Sequence, residues 1–460
     1  MSHPSGGNLV VHPLESGIAA ASWFEKFRHL PHPVLLASGS SGHGASRFDV
    51  LTADPRCVLR SEAGRTVVTS LEGGAPQAFT DDPFEVLARF CTVGDTPPEP
   101  DLPFTGGAIG YFGYELLHGA NGIDHGDKPE LGVADMVVGI YDWALVVDNH
   151  TQRTVLVCRD VEAAREQELL RVARSPHAPR TEPFRLLAPF ESNFTKAEYL
   201  QRFQRIIDYI LAGDCYQVNL AQCFTARCAG DSWAAWQHLQ AKANAPFAAY
   251  LEDGTNAVLS FSPERFLRVT NGEVMTQPIK GTRPRSNEPL HDVANRLDLE
   301  GSDKDRAENL MIVDLLRNDL GRVCATGSVS VENLFETQSF TNVHHLVSTI
   351  KGRLGDAHDV FKLMAACFPG GSITGTPKLR AMEIINELET SRRSVYCGVI
   401  AWIDRSGNMD SNIAIRTLVR SGDRIRCWGG GGIVADSQGD EEYQETLDKI
   451  SIFIRNLPQA

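Results

Sequence analysis

Ten cysteines are scattered through the 460 residues, yet no two form CxxC and no His/Cys cluster has structural-zinc spacing, so a zinc-stapled fold is excluded. The thiols read as buried small hydrophobes of a reducing compartment. No run approaches the roughly eighteen apolar residues of a membrane span, and the opening MSHPSGGNLVVHPLESG lacks a basic region followed by an apolar one. The chain therefore reads as soluble and cytoplasmic. Basic residues are in deficit, 44 against 58 acidic for a formal charge of -14, so the average surface repels nucleic acid and anionic lipid. A local basic pocket for a small anion remains allowed. The glycine-rich stretches match neither GxxxxGK[ST] nor GxGxxG, and there is no G-x-S-x-G elbow, tandem repeat or low-complexity segment.

What is present is the composition of an ordinary folded protein, long enough for two or three units or one large two-layer body. Residues 34 to 160 are mostly short β-like runs broken by Gly, Pro and Asp; VVGIYDWALVVDNHTQRTVLVCRD reads as strand, Asp-Asn-His-Thr turn, strand. A short helix is predicted over 161–173, and SPHAPRTEPFRLLAPFESN is the connector, which gives an N-terminal sheet-rich part at 1–185 and a C-terminal part at 186–460. The latter opens with Thr195 and Glu198 at capping-box offset, apolar residues at helical spacing and Gly213 as the stop. Hairpin patterns turning at DG, NG, SGN and SGD follow, with helical patterns between them at DKDRAENLMIVDLLRNDLG, HDVFKLMAACF, TPKLRAMEIINELE and DEEYQETLDKISIFIRNL. Strands grouped with helices, without regular β-α-β alternation, predict an α+β fold: antiparallel sheets with flanking helices in two intimately packed parts.

Several segments carry chemistry-bearing residues. Glu308 shares a helix face with Ile312 and Leu315, which leaves two readings open: a helix-start acid facing Arg306, or a cation ligand. Glu442 and Glu445 share one face of the last helix with Lys449 one turn on, and two carboxylates there plus one from another helix make a hard oxygen site suited to magnesium. The glycines of CWGGGGIVADS expose backbone N–H groups able to cradle a carboxylate, and FPGGSITGTPKLRAM sets Lys378 at a helix start; tight turns explain either equally. Glu264 in SFSPERF is a turn acid or a general acid; His345 is a core histidine or a site residue; Arg416 ends an apolar strand pattern and needs an anionic partner. In QPIKGTRPR, Lys280 stands between a strand end and a Gly-Thr turn, as surface charge, anion clamp or nucleophile.

Taken together, SPERF, PIKGTRPR, DRAENLMIVDLLRNDLGRV, VHHLVS, FPGGSITGTPKLRAMEII and GGGGIVADSQGDEEYQET resemble the chorismate-utilising enzymes, above all their aminodeoxychorismate synthase component I branch. LLASGSSGHGASRFDVLTADP and GGAIGYFGYEL resemble the N-terminal sheets of the same proteins. The resemblance implies chorismate as substrate and Mg2+ held by Glu308 and Glu445 with Glu442 near it. It further implies Glu264 as the acid that protonates the departing C4 hydroxyl, and His345 beside the leaving group. Arg416 and the amides of Gly430, Gly431, Gly432 and Ile433 would hold carboxylates, with Thr282 a further substrate contact and Lys378 in a loop closing the site. Relatives that add water at C2 carry a lysine base where this chain has Gln217, which cannot deprotonate water. Relatives that make anthranilate resemble PIAGT where this chain has PIKGT, so Lys280 implies attack at C2 and amination by ammonia at C4. The alternative is anthranilate synthase component I chemistry. With no glutaminase Cys-His-Glu block in the chain, glutamine-dependent activity implies a separate glutamine amidotransferase subunit. Ser38 resembles the serine of a pocket that holds tryptophan in some relatives, although LLASGS replaces their LLES.

Overall fold

The computed structural model describes residues 8–39, 47–94, 96–176, 182–339 and 343–459. Residues 1–7, 40–46 of the Ser38 segment, 177–181 of the connector and 340–342 ahead of the two histidines lie outside the described residues. Two large antiparallel sheets, of 13 and 12 strands among the described residues, make up the body. Both run across the 185/186 boundary. Val34–Ala37 pairs with Phe247–Asp253 in the first sheet, and Gly107–Phe112 pairs with Val399–Asp404 in the second. The α+β class with flanking helices is as expected.

The first sheet is covered on both faces, by the second sheet and by helices, which explains strand sequences that are apolar throughout. All six residues of Trp143–Asp148 are buried. Ala144 and Val146 join the core shared with the second sheet, whereas Trp143, Leu145 and Val147 join a second core containing Phe24, Trp233 and Trp236. That split follows the two-residue period of a strand. The expected strand–turn–strand at 137–160 is three strands: Met136–Tyr141 lies in the second sheet, and the chain crosses near Asp142 to the Trp143–Asp148/Arg153–Arg159 hairpin of the first.

The helix Lys196–Ala212 has the predicted reciprocal cap, in which Glu198 N donates to Thr195 Oγ1 at 3.3 Å and Thr195 N to Glu198 Oε2 at 2.8 Å. It ends at Gly213, in the left-handed region at φ 83°. Helices Ala20–Phe27, Pro83–Phe90, Ser232–Ala243 and Pro289–Glu300 escaped the sequence pattern. In the last of these only Leu299 is buried, while Leu290, Val293 and Leu297 are exposed, so it carries little amphipathic signal. No helix among the described residues is long and apolar enough to cross a membrane.

Two features open a space between the layers. After Asn256–Ser262 in the first sheet the chain crosses to Arg265–Thr270 in the second; after Met409–Ile413 in the second it crosses back to Thr417–Ser421 in the first. The crossings bind each other, with Ile413 N donating to Glu264 O (3.0 Å), Phe261 N to Arg416 O (3.0 Å) and Ser262 Oγ to Ile413 O (2.6 Å). Strand Arg424–Ile433 pairs with Thr417–Ser421 only as far as Cys427, so its glycine run faces a gap on that edge and Gln217–Ala229 on the other.

Candidate active site

A cavity of about 560 Å³ fills this gap. It lies within the 300–1,000 Å³ range of small-ligand sites. Its first wall is the pair of crossings, which supplies Pro263, Glu264, Ile415 and Arg416. Glu264 is 8 % exposed, and burial raises its pKa, with Lys280, a hydrogen bond from Ser372 and Lys449 pulling the other way. Arg416 stands in the left-handed region at φ 52°. Burial lowers its pKa against the opposing pull of Tyr396 and Glu445, and among the described residues its guanidinium makes no hydrogen bond or ion pair. A guanidinium so placed on a cavity wall is a receptor for a carboxylate.

The second wall is strand Ile279–Pro284, paired with Val343–Arg353. Lys280 faces Leu346 and Thr282 faces His345, leaving Gly281 as the extra residue of a bulge at φ 78°, where a Cβ would stand 2.7 Å from Leu299. Only glycine fits there. The bulge lets Lys280, Gly281, Thr282 and Arg283 all line the cavity. Lys280 Nζ reaches Ser372 O at 3.4 Å, and Thr282 Oγ1 and His345 Nδ1 share a hydrogen bond of 2.9 Å.

Two helices close the site with acids. Ser302 caps Asp303–Gly321, and Lys304, Asp305 and Glu308 of its first turns line the cavity. Burial raises the Glu308 pKa, Lys280 and Lys304 lower it, and the negative charges of Asp305 and Glu445 raise it further. Opposite lies Gly439–Asn456, packed closely on the glycine strand: a Cβ on Gly429 would meet Thr446 O at 2.1 Å, and one on Gly431 would meet Glu442 Oε2 at 2.9 Å. The four glycines thus thin the strand until the carboxylates of this helix reach the cavity. Burial also raises the Glu442 pKa; its Oε1 accepts from Ser437 Oγ at 2.7 Å, while its buried Oε2 has no partner among the described residues. Glu445 pairs with Lys449 at 2.6 Å, and Lys449 also donates to Gly430 O at 2.8 Å.

Glu308, Glu442 and Glu445 are the right donor type for a divalent cation. The unpartnered Oε2 of buried Glu442, among the described residues, and the repulsion that the more exposed Glu445 exerts on Glu308 and Glu442 fit such a charge. The three are not gathered within ligating distance of one point: among the described residues no cluster of three or more acids, histidines or cysteines forms a metal cage.

Of the residues singled out from sequence, the cavity brings together Glu264, Lys280, Thr282, Glu308, His345, Arg416, Gly430, Gly432, Glu442 and Glu445. Gly431 is placed behind its wall, against Glu442, and Ile433 is a fully buried core residue. Lys378 is placed elsewhere. Its ammonium is committed to Asp319 Oδ2 at 2.6 Å and Cys367 O at 2.9 Å, so it does not line the cavity. Gln217 is fully buried behind Gly432, and the next inward-facing residue of its strand, Asn219, takes the lining position. Sequence reasoning missed Ser372, Lys304 and the stacked pair Tyr396 and Trp428 (ring centres 5.8 Å apart, 6° between planes). Lys304 belonged to a helix whose start was legible; nothing local distinguishes the other three. Ser38 lies in a separate pocket of about 90 Å³ with Phe48, Phe247 and Trp402, and its hydroxyl donates to Asp49 Oδ1 at 2.8 Å.

The pattern of the chorismate binding enzyme family matches residues 36–455. The chain belongs to that family. It is 46 % identical over 441 residues to aminodeoxychorismate synthase component 1 of Escherichia coli (strain K12), covering 95 % of this chain and 96 % of that protein. The corresponding protein of Salmonella typhimurium (strain LT2) is 45 % identical over 441 residues, with the same coverage of 95 % and 96 %. Among solved structures, anthranilate synthase component I from Streptococcus pneumoniae TIGR4 superposes with a TM-score of 0.77 at 32 % identity, covering 88 % of this chain and 92 % of that one. Close homology to aminodeoxychorismate synthase component I thus sits within a fold shared with the anthranilate synthases.

Proposed function

We propose that this family member aminates chorismate at C4 to 4-amino-4-deoxychorismate, using ammonia supplied by a separate glutamine amidotransferase subunit. The observation that carries the reading is Lys280 on the same cavity wall as the buried acid Glu264, its amine 3.4 Å from the carbonyl of Ser372 rather than locked in an ion pair. The Lys280 amine, once its ammonium has given a proton to solvent, attacks C2 and both ring double bonds shift, C1=C2 to C1=C6 and C5=C6 to C4=C5. The C4–O bond breaks, and Glu264 gives its proton to the departing oxygen, releasing water. Burial holds Glu264 above its ordinary pKa and so favours the protonated form this step needs. Ammonia then attacks C4, both double bonds shift back, and the C2–N bond breaks to release the Lys280 amine. A proton lost from the new ammonium returns Glu264 to its starting form.

Arg416 and the glycine strand edge would hold the substrate's carboxylates, and His345, oriented by Thr282, faces the same space. Mg2+ held by Glu308, Glu442 and Glu445 would supply positive charge for a ring carboxylate and for the negative charge developing at the leaving oxygen. Placement of Gln217 behind the wall leaves no lysine base at that position to activate water for C2 hydration. The test is intact mass after mixing with chorismate and Mg2+ without ammonia, where an adduct of chorismate minus water on Lys280 is expected. Absence of an adduct, together with unchanged C4 amination in Lys280→Ala, would remove the nucleophile. Fluorescent anthranilate formed without an added lyase would replace the proposed product altogether.

A further inference from the structure

Among the described residues, those lining the cavity fall between Asn219 and Lys449, and none comes from the N-terminal half. A connection through Arg393 nevertheless reaches the wall from the N-terminal half. Arg393, 1 % exposed, grips Glu389 with two hydrogen bonds (Nε to Oε2 2.9 Å, Nη2 to Oε1 2.7 Å) and donates to the carbonyls of Ile373 (Nη1, 2.9 Å) and Asn219 (Nη2, 2.9 Å). Ile373 and Asn219 are both lining residues. Ile373 follows Ser372, whose carbonyl takes Lys280 and whose side chain hydrogen-bonds Glu264. Tyr396, also lining, donates its N–H to Arg393 O at 3.0 Å.

Arg393 is in turn held by the N-terminal half. Glu115, 7 % exposed, accepts from Arg393 N at 2.6 Å and Ser394 N at 2.9 Å; Tyr114 N donates to Ser394 O at 2.8 Å, and its ring lies 4.6 Å from the guanidinium. Four hydrogen bonds hold the buried Arg393 guanidinium to one geometry.

We propose that Glu115 and Arg393 form a positioning relay by which the N-terminal half sets the Ser372–Ile373 loop and Tyr396, and through them Lys280 and Glu264, for the reaction. The proposal rests on the chorismate reading of the cavity. Neither relay residue touches substrate, so the loss expected on changing it is in turnover, because displacement of reacting groups by about 1 Å costs on the order of 100-fold.

The test uses full-length Glu115→Gln, Arg393→Lys and their double variant, read as chorismate consumption with Mg2+ and ammonium. Arg28→Gln is the control. It breaks another ion pair joining the two halves, Arg28 with Asp231 at 2.6 Å, which touches no cavity residue. Expected is a fall in kcat of about 10- to 100-fold in each relay variant, with KM for chorismate within about 3-fold and the double variant no worse than the poorer single one. Arg28→Gln should lose thermal stability while keeping kcat within about 2-fold. If Arg393→Lys fails to fold, Glu115→Gln, which keeps size and one acceptor, decides alone. Relay variants with kcat within about 2-fold of wild type, or a control that loses as much turnover as they do, would overturn the relay. The relay is judged as a variant-to-wild-type ratio whichever amine the wild type makes, so a different wild-type product sinks the chorismate C4 reading without touching it.

Discussion

Lys378 and Lys280 both sit in glycine- and proline-punctuated stretches that looked alike as sequence, and the structure gives them opposite surroundings. Lys378 begins a helix, where its charge opposes the helix dipole, and it is fully accommodated: 2.6 Å from the nearly buried Asp319 and 2.9 Å from Cys367 O. Among the described residues Lys280 makes one long hydrogen bond, 3.4 Å to Ser372 O, at the outer edge of range. Its charge nevertheless lowers the pKa of Glu264 and Glu308 through space. A lysine whose charge is spent on a buried partner holds the fold together. One that faces two carboxylates across a cavity, without being tied to either, is available for chemistry.

Replacing each lysine should break the comparison in different quantities. Lys280→Ala is expected to lower C4 amination by about 10³-fold or more, the scale of losing a covalent nucleophile, with little change in melting temperature. Lys378→Met is expected to leave turnover within a few-fold but destabilise by about 3–5 kcal/mol, because Asp319 stays buried without its cation. Adding Asp319→Leu to Lys378→Met should recover much of that loss. A Lys378 variant that keeps its stability and loses activity would show the two lysines to be alike after all.

Glu264 sharpens the Lys280 side of the contrast. Glu264→Gln should lower kcat by about 10²- to 10⁴-fold, the range for a lost general acid. The wild-type pH profile carries the sign. Burial raises this carboxyl's pKa, the step requires its proton, and activity is therefore present below the raised pKa and lost as pH climbs through it. In Glu264→Gln that alkaline limb should be absent from the residual rate, measured as kcat between pH 5 and 9.

How much of this was readable beforehand depended on whether the signal was local. The capped helix at Lys196–Ala212 was legible because Thr195, Glu198 and Gly213 act within one or two turns. The acids Glu308, Glu442 and Glu445 were legible as oddities of helix faces. The crossings at Glu264 and Arg416 were not, because which strands exchange sheets is decided by packing across more than 150 residues. Lys378 read as a site residue because its partner, Asp319, lies 59 positions away. Ser372 and Tyr396 reach the cavity only through such long-range closure. The continuous apolar strands hid the sheet change near Asp142, since strands buried on both faces lack the alternation that marks an edge or a switch.

The smallest expected effect concerns the acids that no lysine fully answers. Glu442 is buried, its Oε2 has no partner among the described residues, and burial together with the charge of Glu445 raises its pKa. Without a cation the ionised carboxylate is held in an unfavourable place, which an amide of the same shape would not be. Glu442→Gln should therefore raise the melting temperature of the metal-free protein at pH 8, where the wild-type carboxyl is ionised against its raised pKa, while reducing turnover. Mg2+ should then reverse the order: it should stabilise the wild type by RT ln(1 + [Mg2+]/Kd) and the variant by less, because one donor has lost its charge. Thermal melts of both proteins with and without Mg2+ read this without any assay of activity. If Glu442→Gln melts below wild type in the absence of metal, the acid is held by its Ser437 hydrogen bond and not strained against Glu445. A Mg2+ shift equal in the two proteins would place the cation elsewhere and leave Glu442 with a purely structural part.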